Sequence, residues 1–171
     1  MSVAGIAETT QYLTFTLGDE IFALNIENVR EVLEFTTVTK VPRTPEYMCG
    51  VINLRGGVVP VINLRLKLGM TDSEKTVDTS IIIADVSSDC EKIVIGVLVD
   101  SVQEVINIAS DHINPVPKIG TKLRTDFIRG IGGENNNFIM ILDIEKIFSA
   151  SELIAVDESK ENISQIIEKE V

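Results

Sequence analysis

The sequence predicts a mainly β protein built from two related small barrels, and three observations support this fold class. Isoleucine and valine dominate the apolar residues, which make up 44% of the chain. These β-branched residues fit the pleated surface of a strand better than the side of a helix. The chain also contains short alternating apolar runs separated by turn residues, and it contains an internal repeat. Its 171 residues are enough to bury a core of this kind.

The internal repeat relates the first half of the chain to the second. Residues 22–33 (FALNIENVREVL) match residues 95–106 (IGVLVDSVQEVI) in type at most positions, and Val41-Pro42 corresponds to Val116-Pro117. We therefore assign a first β-barrel subdomain to residues 12–70 and a second to residues 79–149. A sequence repeat leaves open whether the two subdomains exchange strands.

Alternating apolar runs predict five strands in each half, and short helical turns follow the last strand of each. In the first half we expect strands near residues 12–17, 21–26, 29–35, 47–54 and 58–62. In the second half we expect them near residues 81–85, 92–99, 102–108, 127–131 and 138–142. Turn signals at this spacing are typical of all-β folds.

The segment 50–69 contains the pentapeptide VINLR twice, and the two copies are predicted to have different structural roles. The first copy leads into Gly56-Gly57, a pair that supplies the positive φ angles of a two-residue hairpin turn. The second copy starts a helical turn, which Asn63 can cap and Gly69 can end. With Arg55 opposite Val58, the hairpin would have one fully apolar face, formed by Ile52, Leu54, Val59 and Val61.

The charge of the chain argues against several classes of partner. Fifteen cationic and 26 acidic residues give a net charge of −11, whereas nucleic acids and anionic lipids are bound through clustered lysine and arginine. No apolar run approaches the roughly 18 residues of a membrane-spanning helix. We expect no nucleic-acid partner and no direct membrane insertion. Residues 150–171 concentrate acidic side chains around three isoleucines at helical spacing, so we expect an acidic C-terminal helix.

The residue types needed for catalysis or metal binding are not clustered in the sequence. The single histidine, His112, follows Asp111 in a loop, which is more typical of a turn than of half a catalytic site. Cys49 and Cys90 have no second ligand at metal-binding spacing, and they fit buried thiols in the reducing cytoplasm. We therefore expect no enzyme activity, no metal and no cofactor.

Arg55 is the charged residue that the repeat singles out. The triplet Asn53-Leu54-Arg55 is replaced by Gly133-Glu134-Asn135 in the second half, so a barrel of this type can form without it. Arg55 is therefore a candidate for a function beyond packing, and the alternative is a solvated surface arginine.

An ordered series of motifs over residues 12–148 resembles the CheW family of chemotaxis coupling proteins. The series comprises residues 15–20 (FTLGDE), 22–24 (FAL), 29–32 (VREV), Pro42 with 44–45 (TP), 50–56 (GVINLRG), 59–61 (VPV), 63–65 (NLR) and 95–100 (IGVLVD). Each motif is weak alone, and the order of the whole series is specific.

The resemblance implies two SH3-like five-stranded barrels around a shared apolar interface and a non-catalytic adaptor in the cytoplasm. Proteins of this family couple methyl-accepting chemoreceptors, through the helical hairpin of the receptor's cytoplasmic part, to the regulatory domain of the histidine kinase CheA. By position, the receptor-binding candidates are Val29, Glu31, Gly50, Arg55, Ile81, Ile82 and Gly96.

Within this set, Glu31 is expected to pair with Arg55 at the edge of a groove between the barrels, and the glycines would allow close approach of a partner backbone. Packing within strands is the alternative for Val29, the two glycines and the two isoleucines. No motif identifies the kinase-binding residues.

Three interpretations follow. The first is a standalone coupling adaptor, and the second is a CheW-like module derived from a larger chemotaxis protein. The third is a β protein that binds a small molecule or catalyses a reaction, against which the lack of a polar cluster argues.

Overall fold

The structure is a computed structural model that describes residues 8–88, 91–116, 125–134 and 137–147. All ten expected strands are present. The first half contains β1 (Thr9–Leu17), β2 (Glu20–Asn25), β3 (Val29–Glu34), β4 (Met48–Leu54) and β5 (Gly57–Asn63). The second half contains β6 (Ser80–Ser88), β7 (Glu91–Val99), β8 (Ser101–Ala109), β9 (Ile128–Glu134) and β10 (Asn137–Leu142). The one-turn helices α1 (Leu64–Lys67) and α2 (Ile144–Ile147) follow β5 and β10.

The strands form two five-stranded sheets, and each sheet takes strands from both halves of the chain. Sheet A has the order β8-β1-β2-β10-β9, and sheet B has the order β3-β6-β7-β5-β4. The hairpin β1-β2 thus joins three strands of the second half, and the hairpin β6-β7 joins three strands of the first. The sheets therefore do not correspond to residues 12–70 and 79–149. The exchange is made by parallel pairing of β2 with β10 and of β7 with β5, which local sequence does not specify.

Each sheet curls until its two edges meet, which makes it a small barrel. In sheet B the chain beyond β3 reaches β4, where Thr39 and Val51 exchange two backbone hydrogen bonds of 2.9 and 2.8 Å. In sheet A the chain beyond β8 reaches β9 in the same way, through Asn114 and Ile131. These seams occupy corresponding positions in the repeat, so the two barrels are related in structure as well as in sequence.

The apolar residues form one core between the sheets and one inside each barrel. The shared core includes Phe15 and Phe22, whose stacked ring centroids are 6.0 Å apart, together with Ile82 and Ile95. The interior of barrel B contains Ile52, Val59, Val61, Ile81, Ile83 and Leu98. The interior of barrel A is smaller and contains Tyr12, Ala23, Ile108 and Ile141. Along β6 the alternation is complete: Ile81 and Ile83 face the interior of barrel B, whereas Ile82 and Ala84 face the shared core.

Helix α1 begins and ends as the sequence predicts. The Asn63 side chain accepts a hydrogen bond of 3.3 Å from the backbone N–H of Leu66, and Gly69 follows the helix with φ +86°. The expected helix over residues 150–171 lies outside the described residues, as does Cys90. In the portion of the chain that is described, no helix is long and apolar enough to cross a membrane.

Candidate functional site

The β4-β5 hairpin presents Arg55 at its tip, one position further into the turn than the sequence suggests. Leu54 pairs with Gly57, so Arg55 and Gly56 are the two central residues of the turn, not Gly56 and Gly57. The Asn53 side chain accepts a 3.1 Å hydrogen bond from the Gly56 N–H and thereby fixes this register. The apolar face of the hairpin is nevertheless as expected. The strand pairing is shifted by an even number of residues from the predicted register, and such a shift keeps every side chain on the same face of the sheet.

Arg55 occupies a backbone conformation that favours glycine or asparagine. Its φ is +51° and that of Gly56 is +83°, as required for both central residues of a type I′ turn. A side chain in the left-handed region costs roughly 1–2 kcal/mol. The turn would therefore form more easily with another residue at position 55.

Arg55 and Glu31 form the expected ion pair across the seam of barrel B. Arg55 Nη1 donates to Glu31 Oε2 at 2.6 Å, and Nη2 donates to Oε1 at 3.2 Å. This bidentate pairing fixes the plane of the guanidinium group. The Arg55 side chain is 75% exposed, so solvent screens the pair and its contribution to stability is below about 1 kcal/mol. The pair therefore orients Arg55 more than it stabilises the fold.

A bulge in β3 sets the direction of Glu31. Val29 pairs with Ala84 and Glu31 pairs with Ile83, so Arg30 is an extra residue between them. Arg30 Nε donates to Asp85 Oδ1 at 2.7 Å. Val29 is half-buried against the shared core, at the margin of the surface that carries Glu31.

The other four candidate residues lie in the interior. Ile81 faces the interior of barrel B, and Ile82 faces the shared core. At Gly96 an added Cβ would lie 2.9 Å from Ile81 Cγ2, and at Gly50, where φ is +144°, it would overlap the carbonyl oxygen of Thr39. At both glycines, atoms of this chain occupy the space that a side chain would need, which is the arrangement that packing within strands requires.

A second polar network, which the sequence did not reveal, joins the two sheets. Arg65 in α1 forms an ion pair with Asp100 between β7 and β8, with Nε donating at 2.8 Å and Nη2 donating to the other oxygen. The Gly18 N–H, in the β1-β2 turn, donates to the same carboxylate at 2.7 Å. The hydrogen bond from Arg65 is the main cause that lowers the pKa of Asp100. These residues belong to the recognised motifs, but no local signal brings together positions so far apart in the chain.

The residues considered for catalysis do not form a site in the described part of the chain. His112 Nε2 lies 3.9 Å from Asp111 Oδ1 in an exposed turn. Burial raises the pKa of the Cys49 thiol to about 11, which disfavours the reactive thiolate. Among the described residues, no group of three or more histidine, cysteine, aspartate or glutamate side chains is placed to hold a metal ion.

Comparison with known proteins matches residues 11–152 to the CheW-like domain family. A probable chemotaxis protein CheW from Rhizobium etli is 38% identical over 142 residues, which cover 83% of this chain and 89% of that protein. The chemotaxis protein CheW from Klebsiella aerogenes is 32% identical over 155 residues, which cover 91% of each. The crystal structure of the scaffolding protein TtCheW from Thermoanaerobacter tengcongensis superposes with a TM-score of 0.74 at 34% identity, covering 85% of this chain and 96% of that one. Taken with the two five-stranded barrels and the ordered motifs, these matches show that the chain belongs to the CheW family.

Proposed function

We propose that this protein is a non-catalytic cytoplasmic adaptor that couples methyl-accepting chemoreceptors to the histidine kinase CheA. Membership of the CheW family supports the chemotaxis role. The receptor would contribute the helical hairpin of its cytoplasmic part, and the kinase its regulatory domain. The residues that contact the kinase stay unassigned.

The observation that carries the proposal is the conformation and exposure of Arg55. This residue occupies a strained turn position, where its side chain contributes little to the fold and projects into solvent in an orientation set by Glu31. Strain of this kind is concentrated at functional sites. A guanidinium held in a fixed plane is suited to hydrogen-bond a partner's carboxylate or carbonyl groups.

The remaining candidate residues are half-buried or buried, and we expect most of them to act by positioning the surface that carries Arg55 and Glu31. Val29 is half-buried and lies two residues from Glu31, so it can give an apolar contact to a helix. Ile81 and Ile82 lie on β6, directly across from β3, and therefore set the position of the strand that carries Glu31. Gly50 and Gly96 act through the close packing of barrel B.

Reconstituted phosphotransfer tests the proposal. The chain would be mixed with a receptor cytoplasmic fragment and CheA, and kinase activity would be followed with and without receptor. Arg55→Ala should reduce receptor-dependent activation while leaving the melting temperature nearly unchanged, because the lost pair contributes below about 1 kcal/mol. Arg129→Ala, which removes an exposed arginine from sheet A, is the matched control and should retain activation.

Two results would contradict the proposal. One is a kinase activity that does not depend on this chain, which would remove the adaptor role. The other is a large fall in the melting temperature of Arg55→Ala, which would make Arg55 a structural residue.

A further inference from the structure

An open cleft of about 810 Å³ lies at one end of barrel B, between the β3-β4 connection and the segment that follows α1. We call it the β3-β4 cleft. Its apolar wall includes Phe35, Val38, Val41, Met48 and Leu66. A volume of this size is typical of sites that bury a ligand or a few side chains of a partner.

The β3-β4 cleft is separate from the surface around Arg55. Met48, the first residue of β4, lines the cleft, whereas Leu54, the last residue of β4, adjoins Arg55. Seven residues of strand span about 20 Å. The two surfaces can therefore be occupied at the same time.

Arg43 lines this cleft in the same kind of strained conformation as Arg55. Its φ is +64°, and among the described residues Arg43 and Arg55 are the two non-glycine residues with a positive φ. Arg43 follows Pro42 in a turn, at a position where a positive φ normally selects glycine. Glycine would adopt this backbone conformation with less strain, so the arginine side chain is the feature to be explained.

The charges that line the cleft leave cationic groups available. The Asp72 carboxylate accepts two hydrogen bonds, from Asn63 Nδ2 at 2.9 Å and from the Ser73 N–H at 2.9 Å, and Lys75 Nζ lies 3.8 Å away as its ion-pair partner. Lys40 and Arg43 are exposed, and neither has a charged partner within the described part of the chain. Glu46 is the other carboxylate in the lining, so the charged side chains there are three cations (Lys40, Arg43 and Lys75) against two carboxylates (Glu46 and Asp72). A cationic excess beside an apolar wall, on a chain with a net charge of −11, is complementary to a ligand that is both acidic and apolar.

We propose that the β3-β4 cleft is a second partner surface, which binds an acidic protein segment. Apolar side chains of the segment would pack against Phe35, Val38 and Val41, and its carboxylates would pair with Arg43 and Lys40. This inference goes beyond the receptor-binding role of the Arg55 surface and does not depend on it.

Fluorescence anisotropy with a defined probe tests this inference. The probe is a fluorescein-labelled, C-terminally amidated peptide in which leucine and phenylalanine alternate with glutamate, and the control peptide has glutamine in place of glutamate. The full-length protein should bind the glutamate peptide and not the glutamine peptide. Arg43→Gly should weaken binding at least about tenfold, as expected for loss of a charge-assisted hydrogen bond. Its melting temperature should be equal to or above that of the wild type, because glycine relieves the strain.

Matched variants separate the cleft from general charge effects and from the Arg55 surface. Lys40→Gln should weaken peptide binding, whereas Lys92→Gln, at an exposed position on β7, should leave it unchanged. Arg55→Ala should also leave it unchanged, so failure of the receptor proposal and failure of this one can be told apart.

Several results would overturn the inference. These are no binding of the glutamate peptide, equal binding of the glutamine peptide, unchanged affinity in Arg43→Gly, or equal weakening by Lys92→Gln. Peptide binding that occurs only after removal of residues 151–171 would assign the cleft to the chain's own acidic tail and would also overturn it.

Discussion

Asp100→Asn removes one negative charge from the network that joins the two sheets. In the wild type this carboxylate accepts hydrogen bonds from Arg65 Nε, Arg65 Nη2 and the Gly18 N–H. Asparagine has nearly the same shape, so the substitution leaves the packing intact and tests the charge itself. It weakens contacts among the β1-β2 turn, the β7-β8 connection and α1.

The expected cost follows from the burial of this pair. The Arg65 and Asp100 side chains are 15% and 26% exposed, so solvent screens them only partly. A hydrogen bond to a charged group contributes about 1.5–3 kcal/mol, and asparagine keeps part of this network. We expect the free energy of unfolding to fall by about 2 kcal/mol, which lowers the melting temperature of a chain of this size by about 4–8 °C.

Asp85→Asn is the matched control, measured by thermal and urea denaturation under the same conditions. Asp85 accepts a hydrogen bond of 2.7 Å from Arg30, whose side chain is 53% exposed. The Asp85 side chain is itself 22% exposed, so the two pairs differ in the exposure of the arginine and in the number of hydrogen bonds that the carboxylate accepts. Because an ion pair whose arginine is largely in solvent contributes below about 1 kcal/mol, this variant should melt within about 4 °C of the wild type.

The pH dependence gives a second, independent test. The hydrogen bond from Arg65, supported by the Gly18 N–H, lowers the pKa of folded Asp100 below its ordinary value of 3.8. A carboxylate with a lowered folded pKa contributes its stability above the unfolded pKa and loses it as the pH falls through the folded pKa. The stability gap between the wild type and Asp100→Asn should therefore be constant from about pH 5 to 7 and narrow below about pH 4.

Equal losses in Asp100→Asn and Asp85→Asn would refute this reasoning, because the burial of the arginine and the number of hydrogen bonds would then not distinguish the two pairs. A gap that persists unchanged well below pH 4 would also refute it, because the carboxylate charge would not be its source.

Three further predictions concern single residues. Gly50→Ala should lower the free energy of unfolding by about 3 kcal/mol or more in urea titrations, because its Cβ would overlap the Thr39 carbonyl oxygen and its φ is +144°. Asn63→Asp places a second carboxylate beside Asp72, where Asn63 now donates at 2.9 Å. Repulsion between the two carboxylates raises the pKa at which one of them takes up a proton. The free energy of unfolding of this variant should therefore be about 2 kcal/mol lower at pH 7 and should recover in part near pH 5. Cys49, with a pKa of about 11 instead of 9.0, should be alkylated about 100-fold more slowly at pH 8 than an ordinary thiol, as followed by peptide mapping.

Each of these has a control. Gly57→Ala should be tolerated, since its Cβ would lie 3.4 Å from the nearest atom, and equal destabilisation by both glycine substitutions would contradict the argument from overlap. Asn63→Ala should show no recovery in acid, because it adds no charge. Alkylation of Cys49 in urea should be fast, and similar rates in the folded and unfolded chain would contradict its burial.

The sequence indicates part of the site: it identifies Arg55 but not the exact position of the turn that carries it. Comparison of the two halves singles out Arg55. Its pairing with Glu31 follows only from the family resemblance, because the two residues lie 24 positions apart. The turn was misplaced by one residue because paired glycines and the Arg55-Gly56 pair both satisfy a two-residue turn. The side-chain hydrogen bond of Asn53 decides between them.

Arg43 and the Arg65–Asp100 network were not found from the sequence. Composition and periodicity do not indicate a positive φ at an arginine, because a positive φ is normally predicted only at glycine or asparagine. Arg65 and Asp100 are 35 residues apart, and each resembles an ordinary exposed charge when read locally. Their proximity depends on how the sheets pack.

The sequence by itself determined the ten strands, the caps, the repeat and the charge of this protein, because alternation and turn residues act over a few neighbouring positions. Only the tertiary structure decided which strands are neighbours. Alternation specifies the face on which a side chain lies but not the strand that pairs beside it, so hairpins β1-β2 and β6-β7 could join either half. The shared core and the parallel pairing of β2 with β10 and β5 with β7 settled that choice.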